Sequence, residues 1–197
     1  MTLPRVKATR TTPAFWSRAR GIAHAANGML ARIPHSPIAL LARFSIAAVF
    51  WKSGQTKVEG FALDIVEGVF EPGWPRLSDA AVALFRDEYR LPWLAPESAA
   101  SMAALAEHGL ALLLLVGLAT RLSALGLLAM TAVIQLFVYP GAYPTHGVWA
   151  TVLLLLIARG PGTTSVDAML ARRGQRADAG PDTTLAIEDA DRRSDRG

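Results

Sequence analysis

Ser98–Arg121 reads SAASMAALAEHGLALLLLVGLATR. It is a run of about 23 residues of Ala, Leu, Val and Gly before a closing arginine. At ~1.5 Å per residue such a helix is roughly 34 Å long, enough to cross a ~30 Å hydrocarbon core. Glu107 and His108 stand near its middle. A carboxylate at that depth costs about 2.5–3.5 kcal/mol on insertion scales, so it calls for a partner or a purpose. The rest of the chain can be read as three further spans around this one.

Composition points the same way. Of the 197 residues 52% are apolar, mean hydropathy is +0.30, and the apolar residues are bunched in long runs, as in a polytopic membrane protein rather than a soluble domain. With no cysteine, disulfide exchange, thiolate catalysis and cysteine-ligated metal centres fall outside the chain's own chemistry. Charge is segregated: residues 1–37 carry six Lys/Arg and no acid, residues 59–97 eight acids and three bases, and residues 159–197 seven of each. One basic side fits a membrane protein and argues against a nucleic-acid partner. The N-terminus lacks the apolar core and cleavage site of a signal peptide.

Outward from the central span, residues 1–37 form a basic segment. From Phe15 to Ile33 apolar residues recur at helical spacing, opposite Arg18, Arg20, His24, Asn27 and Arg32. This amphipathic helix lies either in the plane of an anionic leaflet or against the end of the bundle. His35-Ser36-Pro37 is expected to break it. The membrane domain then occupies 38–172, with spans at about 38–58, 98–120, 122–139 and 147–159. An outer loop, 59–97, is too long to be structureless. Leu77, Ala80, Ala81, Leu84 and Phe85 give it an amphipathic helix with Ser78 or Asp79 as cap, and Leu77 to Tyr89 offers a surface to a partner protein. Residues 173–197 read as a disordered tail. The expected fold is all-α: a four-transmembrane-helix bundle with an amphipathic N-terminal helix and a short extracytoplasmic helix. The Lys/Arg bias of the N-terminal segment, Arg121, Arg159, Arg172 and Arg173 places both termini in the cytoplasm, and an even number of spans agrees. The expected location is a bacterial inner membrane, with the lipid bilayer as surroundings.

One constellation could carry chemistry. Lys52, Gln55 and Lys57 on the first span, Glu107 and His108 on the second, Gln135 and Tyr139 on the third, and His146 before the fourth fall in the outer half. From depth alone Lys52 reaches toward Glu107, and Lys57 toward the turn with His146. Lys52, Lys57, Glu107, Gln135, Tyr139 and His146 are therefore the candidate ligand-binding residues, for a small polar or quinone-like headgroup. The competing reading is a buried ion pair and hydrogen-bond set that fixes helix register. Arg43, Arg121 and Asp167 read as structural polar residues. No third ligand joins His108 and His146, so no metal site is expected. There is no G-x-S-x-G elbow, and Gly160-Pro161-Gly162-Thr163-Thr164 lacks the ending of a phosphate loop.

Several of these pieces resemble the DoxX family of four-helix bacterial membrane proteins. They are Arg43 with Phe50 and Gly54-x-x-Lys57, then Glu107, Gly117-Leu118-x-Thr120-Arg121, and Gly160-Pro161-Gly162-x-x-Ser165-x-Asp167. The Phe85-Arg86-Asp87-Glu88-Tyr89 loop and the run from Gln135 to His146 are similar to one subgroup. The family takes its name from a subunit associated with a thiosulfate:quinone oxidoreductase, and other members are linked to membrane redox or thiol homeostasis. The resemblance implies a subunit of a membrane oxidoreductase or redox-homeostasis complex, with quinone as the conceivable cofactor. A small-molecule transporter or binding protein, and a structural or assembly partner, are the alternatives. Whether the chain is itself an enzyme is left open.

Overall fold

The computed structural model describes residues 14–178. The start of the basic segment, before residue 14, and most of the stretch read as a disordered tail, after 178, lie outside them. The chain divides into two compact units, Met1–Pro34 and His35–Gly197. In the first, helix α1 spans Ala14–Leu30 and leaves Ile22, Met29 and Leu30 exposed.

The second unit begins where a break was expected. His35-Ser36-Pro37 opens helix α2, His35–Gln55, because proline is tolerated in a first turn whose N–H groups have no partner anyway. Three more long helices follow: α4 (Pro96–Val116), α5 (Thr120–Val133) and α6 (Tyr143–Arg159). They pack in a ring, α2 on α4, α4 on α5, α5 on α6, and α6 back on α2. Three helical stretches, Pro96–Val116, Thr120–Val138 and Pro140–Arg159, are long and apolar enough to cross a membrane. A fourth qualifies if Arg20–Leu30 and His35–Gln55 count as one broken span. Arg43 and Lys52 keep α2 from qualifying on its own hydropathy.

Small side chains set the spacing of the ring. Ala39, Ala42 and Ala47 of α2 and Ala111 of α4 are buried in one cluster with Phe50, Leu114, Leu127, Leu153 and Leu156. In lipid, where apolar burial gives no drive for helices to associate, such residues let backbones approach and gain packing contacts. Gly54 takes this furthest: a Cβ there would stand 2.7 Å from two atoms of the His108 ring.

Helix ends differ from the expected spans. The central span closes at Val116, not Thr120, because Gly117 adopts φ 74° and the amides of Gly117 and Leu118 bond back to Leu113. Arg121 therefore belongs to the first turn of α5 and does not close α4. Helix α5 continues into a π-helical turn, Ile134–Val138, and a 3-10 turn, Pro140–Ala142. α6 starts at Tyr143, so the fourth span is longer than its apolar core suggested.

The outer loop holds two antiparallel strand pairs. β1 (Val58–Glu59) pairs with β4 (Arg76–Leu77) and encloses the hairpin of β2 (Ala62–Asp64) and β3 (Val69–Glu71). Then comes α3, Asp79–Leu84, capped by Ser78, whose Oγ accepts from the Ala81 amide at 3.0 Å, and a π-helical turn over Phe85–Tyr89. Ala81 and Phe85 are buried against Ala99 and Ala100 of α4. The apolar face of Leu77–Tyr89, offered above to a partner protein, is thus covered by the chain's own second span. A last helix, α7, Val166–Asp178, runs from the end of the 38–172 domain into the first residues of the stretch read as tail.

Candidate functional site

The structure resolves the polar patch into separate sets and reverses the roles of its two lysines. Lys57 is 4% exposed and Glu107 2%, with Nζ 2.8 Å from Oε2. The lysine also donates to the backbone oxygen and Oγ of Ser53, both at 3.1 Å. Ser53 Oγ in turn donates to Glu107 Oε1 at 3.1 Å. The hydrogen bonds in this triangle have consistent directions, and Oε2 meets the ammonium as an ion pair rather than as a hydrogen-bond acceptor.

Lys52, expected to meet Glu107, lies on the outward side of α2 with 58% of its side chain exposed. It pairs there with Asp64 at 3.1 Å and Glu67 at 2.9 Å. Depth misled because it ignores phase and chain reversal. Lys52 is one residue, about 100°, away from Ser53. Lys57 lies beyond the end of α2 and folds back by four residues onto Ser53. Asp64 accepts the amides of Glu67 and Val66. Those bonds, with Lys52, hold its carboxyl below the usual range.

His108 forms its own chain. The Leu63 amide donates to Gln55 Oε1 at 2.7 Å, so the Gln55 Nε2 group must donate to His108 Nε2 at 2.8 Å. Nδ1 then carries the ring proton and donates to Ala104 O at 2.8 Å. Trp51 stacks edge-on against this ring at 4.9 Å, and its indole N–H donates to Leu63 O at 2.9 Å. The hairpin is thus fastened to the end of α2 from both sides of Leu63.

Gln135, Tyr139 and His146 form a third set. Gln135 Nε2 donates to Pro140 O at 2.7 Å, which leaves Oε1 to accept from Nδ1 of buried His146 at 2.7 Å. The Tyr139 hydroxyl donates to Glu88. No hydrogen bond joins Gln135, Tyr139 or His146 to Glu107 or Lys57 among the described residues. None there group three metal-ligating side chains.

Arg43, Asp167 and Arg121 gather at the other end. Arg43 is buried and donates to Leu115 O at 3.1 Å and Thr164 O at 2.8 Å. Gly117 lies against its guanidinium, where a Cβ would collide. Asp167 accepts the amides of Ala119 and Thr120 at 2.8 and 2.9 Å, capping α5 from α7. Burial pushes its carboxyl upward, but these amide bonds and Arg43 outweigh it and hold it below the usual value. Arg121 lies beside Gly160.

Space for a ligand lies beside His108 rather than Glu107. A cavity of about 460 Å³ is bounded by Trp51, Val58, Phe61, Leu77, Leu105 and Leu112, with Ser101, Arg76 and His108 as its polar wall. The hydroxyl of Ser101 is spent on Glu97 O and both ring nitrogens of His108 are engaged, so Arg76 is the donor left for a ligand. Leu105 is 75% exposed, which opens the cavity sideways on the apolar belt. A second cavity, about 260 Å³, shares Trp51 and Leu112 and runs down α2 and α4 past Phe44, Ala48 and Leu115. Sequence reasoning put His108 in the patch but missed Arg76, whose place depends on the pairing of β1 with β4.

Compared with known families, residues 38–140 match DoxX. No curated protein and no solved structure is similar enough to count as a match.

Proposed function

From membership of the DoxX family, to which this membrane protein belongs, we propose that the chain is the quinone-facing subunit of a membrane oxidoreductase or redox-homeostasis complex. The ring of a lipid-soluble quinone occupies the cavity beside His108. The observation that carries this reading is the cavity itself: apolar, open on the lipid side, walled by Trp51, Phe61 and His108, with one guanidinium free to donate to a carbonyl oxygen. Ligand pockets of this kind are mostly apolar with a few fixed polar groups. The proposed setting is a bacterial inner membrane, with the end bearing Arg121 and Arg159 in the cytoplasm.

In this reading the Lys57–Glu107 pair braces the wall and does not touch the ligand. The candidate residues Lys52, Lys57, Glu107, Gln135, Tyr139 and His146 are replaced as ligand contacts by Arg76, His108 and the aromatic wall. The test is equilibrium binding of a water-soluble, short-tailed quinone to the purified protein in nanodiscs. Ser101→Phe fills the cavity from α4 and abolishes binding. Arg76→Gln removes a charge-assisted hydrogen bond and weakens it about 10- to 100-fold. A Ser101→Phe protein that binds as the parent does, or a parent that binds no quinone, ends the proposal.

A further inference from the structure

At the end of the ring opposite that cavity, two arginines line one cavity and neither is paired with an acid among the described residues. Arg121, in the first turn of α5, and Arg159, in the last turn of α6, line one cavity of about 350 Å³ with Leu122, Gly160, Pro161 and Asp167. Both are exposed. Neither is in a salt bridge or side-chain hydrogen bond among the described residues, where the four ion pairs involve Lys52, Lys57 and Arg86. The one carboxylate present, Asp167, turns both oxygens to the amides of Ala119 and Thr120.

Their positions differ in electrostatic terms. Arg159 sits at a helix C-terminus, where the macrodipole favours a cation. Arg121 sits at a helix N-terminus, where it does not. A cation held at the wrong end of a helix beside a second cation is a site whose repulsion an anion would relieve. Leu122, 72% exposed, adjoins the cavity at the head of the apolar belt, so the anion stands where an acyl chain can run down α5.

We propose that Arg121 and Arg159 clamp the phosphate of an anionic phospholipid. Guanidinium forks suit phosphate oxygens, and basic pockets between spans are suited to anionic headgroups. The proposal is independent of the quinone reading.

Native mass spectrometry of the full chain in mild detergent, titrated with phosphatidylglycerol, gives the apparent Kd. Arg121→Gln with Arg159→Gln is expected to weaken it roughly 30-fold, from about 1 kcal/mol per arginine near a charged surface. Arg121→Lys with Arg159→Lys keeps both charges and the fold but loses the forks, and is expected to weaken it several-fold. Arg173→Gln, a basic residue of α7 outside the cavity, and replacement of phosphatidylglycerol by phosphatidylcholine separate the site from diffuse attraction. The first leaves the Kd within about twofold, and the second binds far more weakly. An unchanged Kd in either double variant overturns the clamp. An equal loss in Arg173→Gln overturns the location. Displacement of the lipid by inorganic phosphate at comparable concentration overturns the lipid as occupant.

Discussion

Glu107 is tolerable inside the bundle because two groups meet its charge. Lys57 supplies the opposite charge at 2.8 Å, Ser53 supplies a proton, and the lysine's other protons go to Ser53. Removing one member strands the other, and breaking a buried pair costs about 3–5 kcal/mol. Glu107→Gln should therefore lower thermal stability in nanodiscs strongly, and Lys57→Met should do so to a similar extent. The double replacement Lys57→Met with Glu107→Leu should recover most of the loss, because two apolar groups need no compensation. A cycle of unfolding midpoints checks this: strictly additive losses would mean the pair is not coupled. None of these changes should alter affinity at the cavity beside His108. The presence of the buried acid was legible in the sequence, since hydropathy makes a carboxylate in a 21-residue apolar helix conspicuous. Its partner was not. Lys52 and Lys57 are five residues apart, depth alone favoured the nearer Lys52, and the choice between them depends on helix phase and on where α2 stops.

Helix ends, more than helix middles, join the elements of this ring. Three of the motifs that pointed to the family gather at one junction: Arg43 on α2, Gly117 after α4, and Asp167 on α7. The Gly117 carbonyl accepts the Asp167 amide at 2.9 Å, while the Asp167 carboxylate caps α5. Because the folded-state pKa of Asp167 lies below its unfolded value, the ionised form is the one the fold prefers. Its contribution is complete above the unfolded pKa of about 3.9 and is lost as pH falls through the folded value. The parent's unfolding midpoint should thus fall on acidification below about pH 4, and Asp167→Asn should lower it at pH 7 while flattening that acid limb. A parent and variant with parallel acid limbs would remove Asp167 from the account. The long elements were legible because apolar runs of this length allow little else. The four short strands, each two or three residues, were not, since no period can be read from so few positions. The same pairing brings Arg76 to the cavity, which is why that residue escaped notice.

For the molecule as a whole, function depends on which end faces which side, and the charge pattern makes a prediction that labelling can test. The loop end carries eight acids between residues 59 and 97, while Arg121, Arg159, Arg172 and Arg173 lie at or beyond the other end. Lys/Arg bias would hold that basic end in the cytoplasm. The number of spans is the joint that matters. Hydropathy certifies three helical stretches, and α2 qualifies only together with the segment before it. Yet α2 closes the ring by packing on both α4 and α6, so whether it crosses the bilayer decides the count. The absence of cysteine makes the question directly measurable, because each introduced cysteine is the sole thiol. Single cysteines at Gly28, Trp74, Gly141 and Arg173 should react with a membrane-impermeant maleimide in intact cells only at Trp74 and Gly141. All four should react after lysis. Labelling of Gly28 in intact cells would leave α2 on one side of the bilayer and reduce the count to three. Labelling of Arg173 with protection of Trp74 would invert the whole bundle. The quinone cavity would then open toward the cytoplasm and the paired arginines toward the outside, so this one measurement fixes the side from which each proposed ligand must be offered.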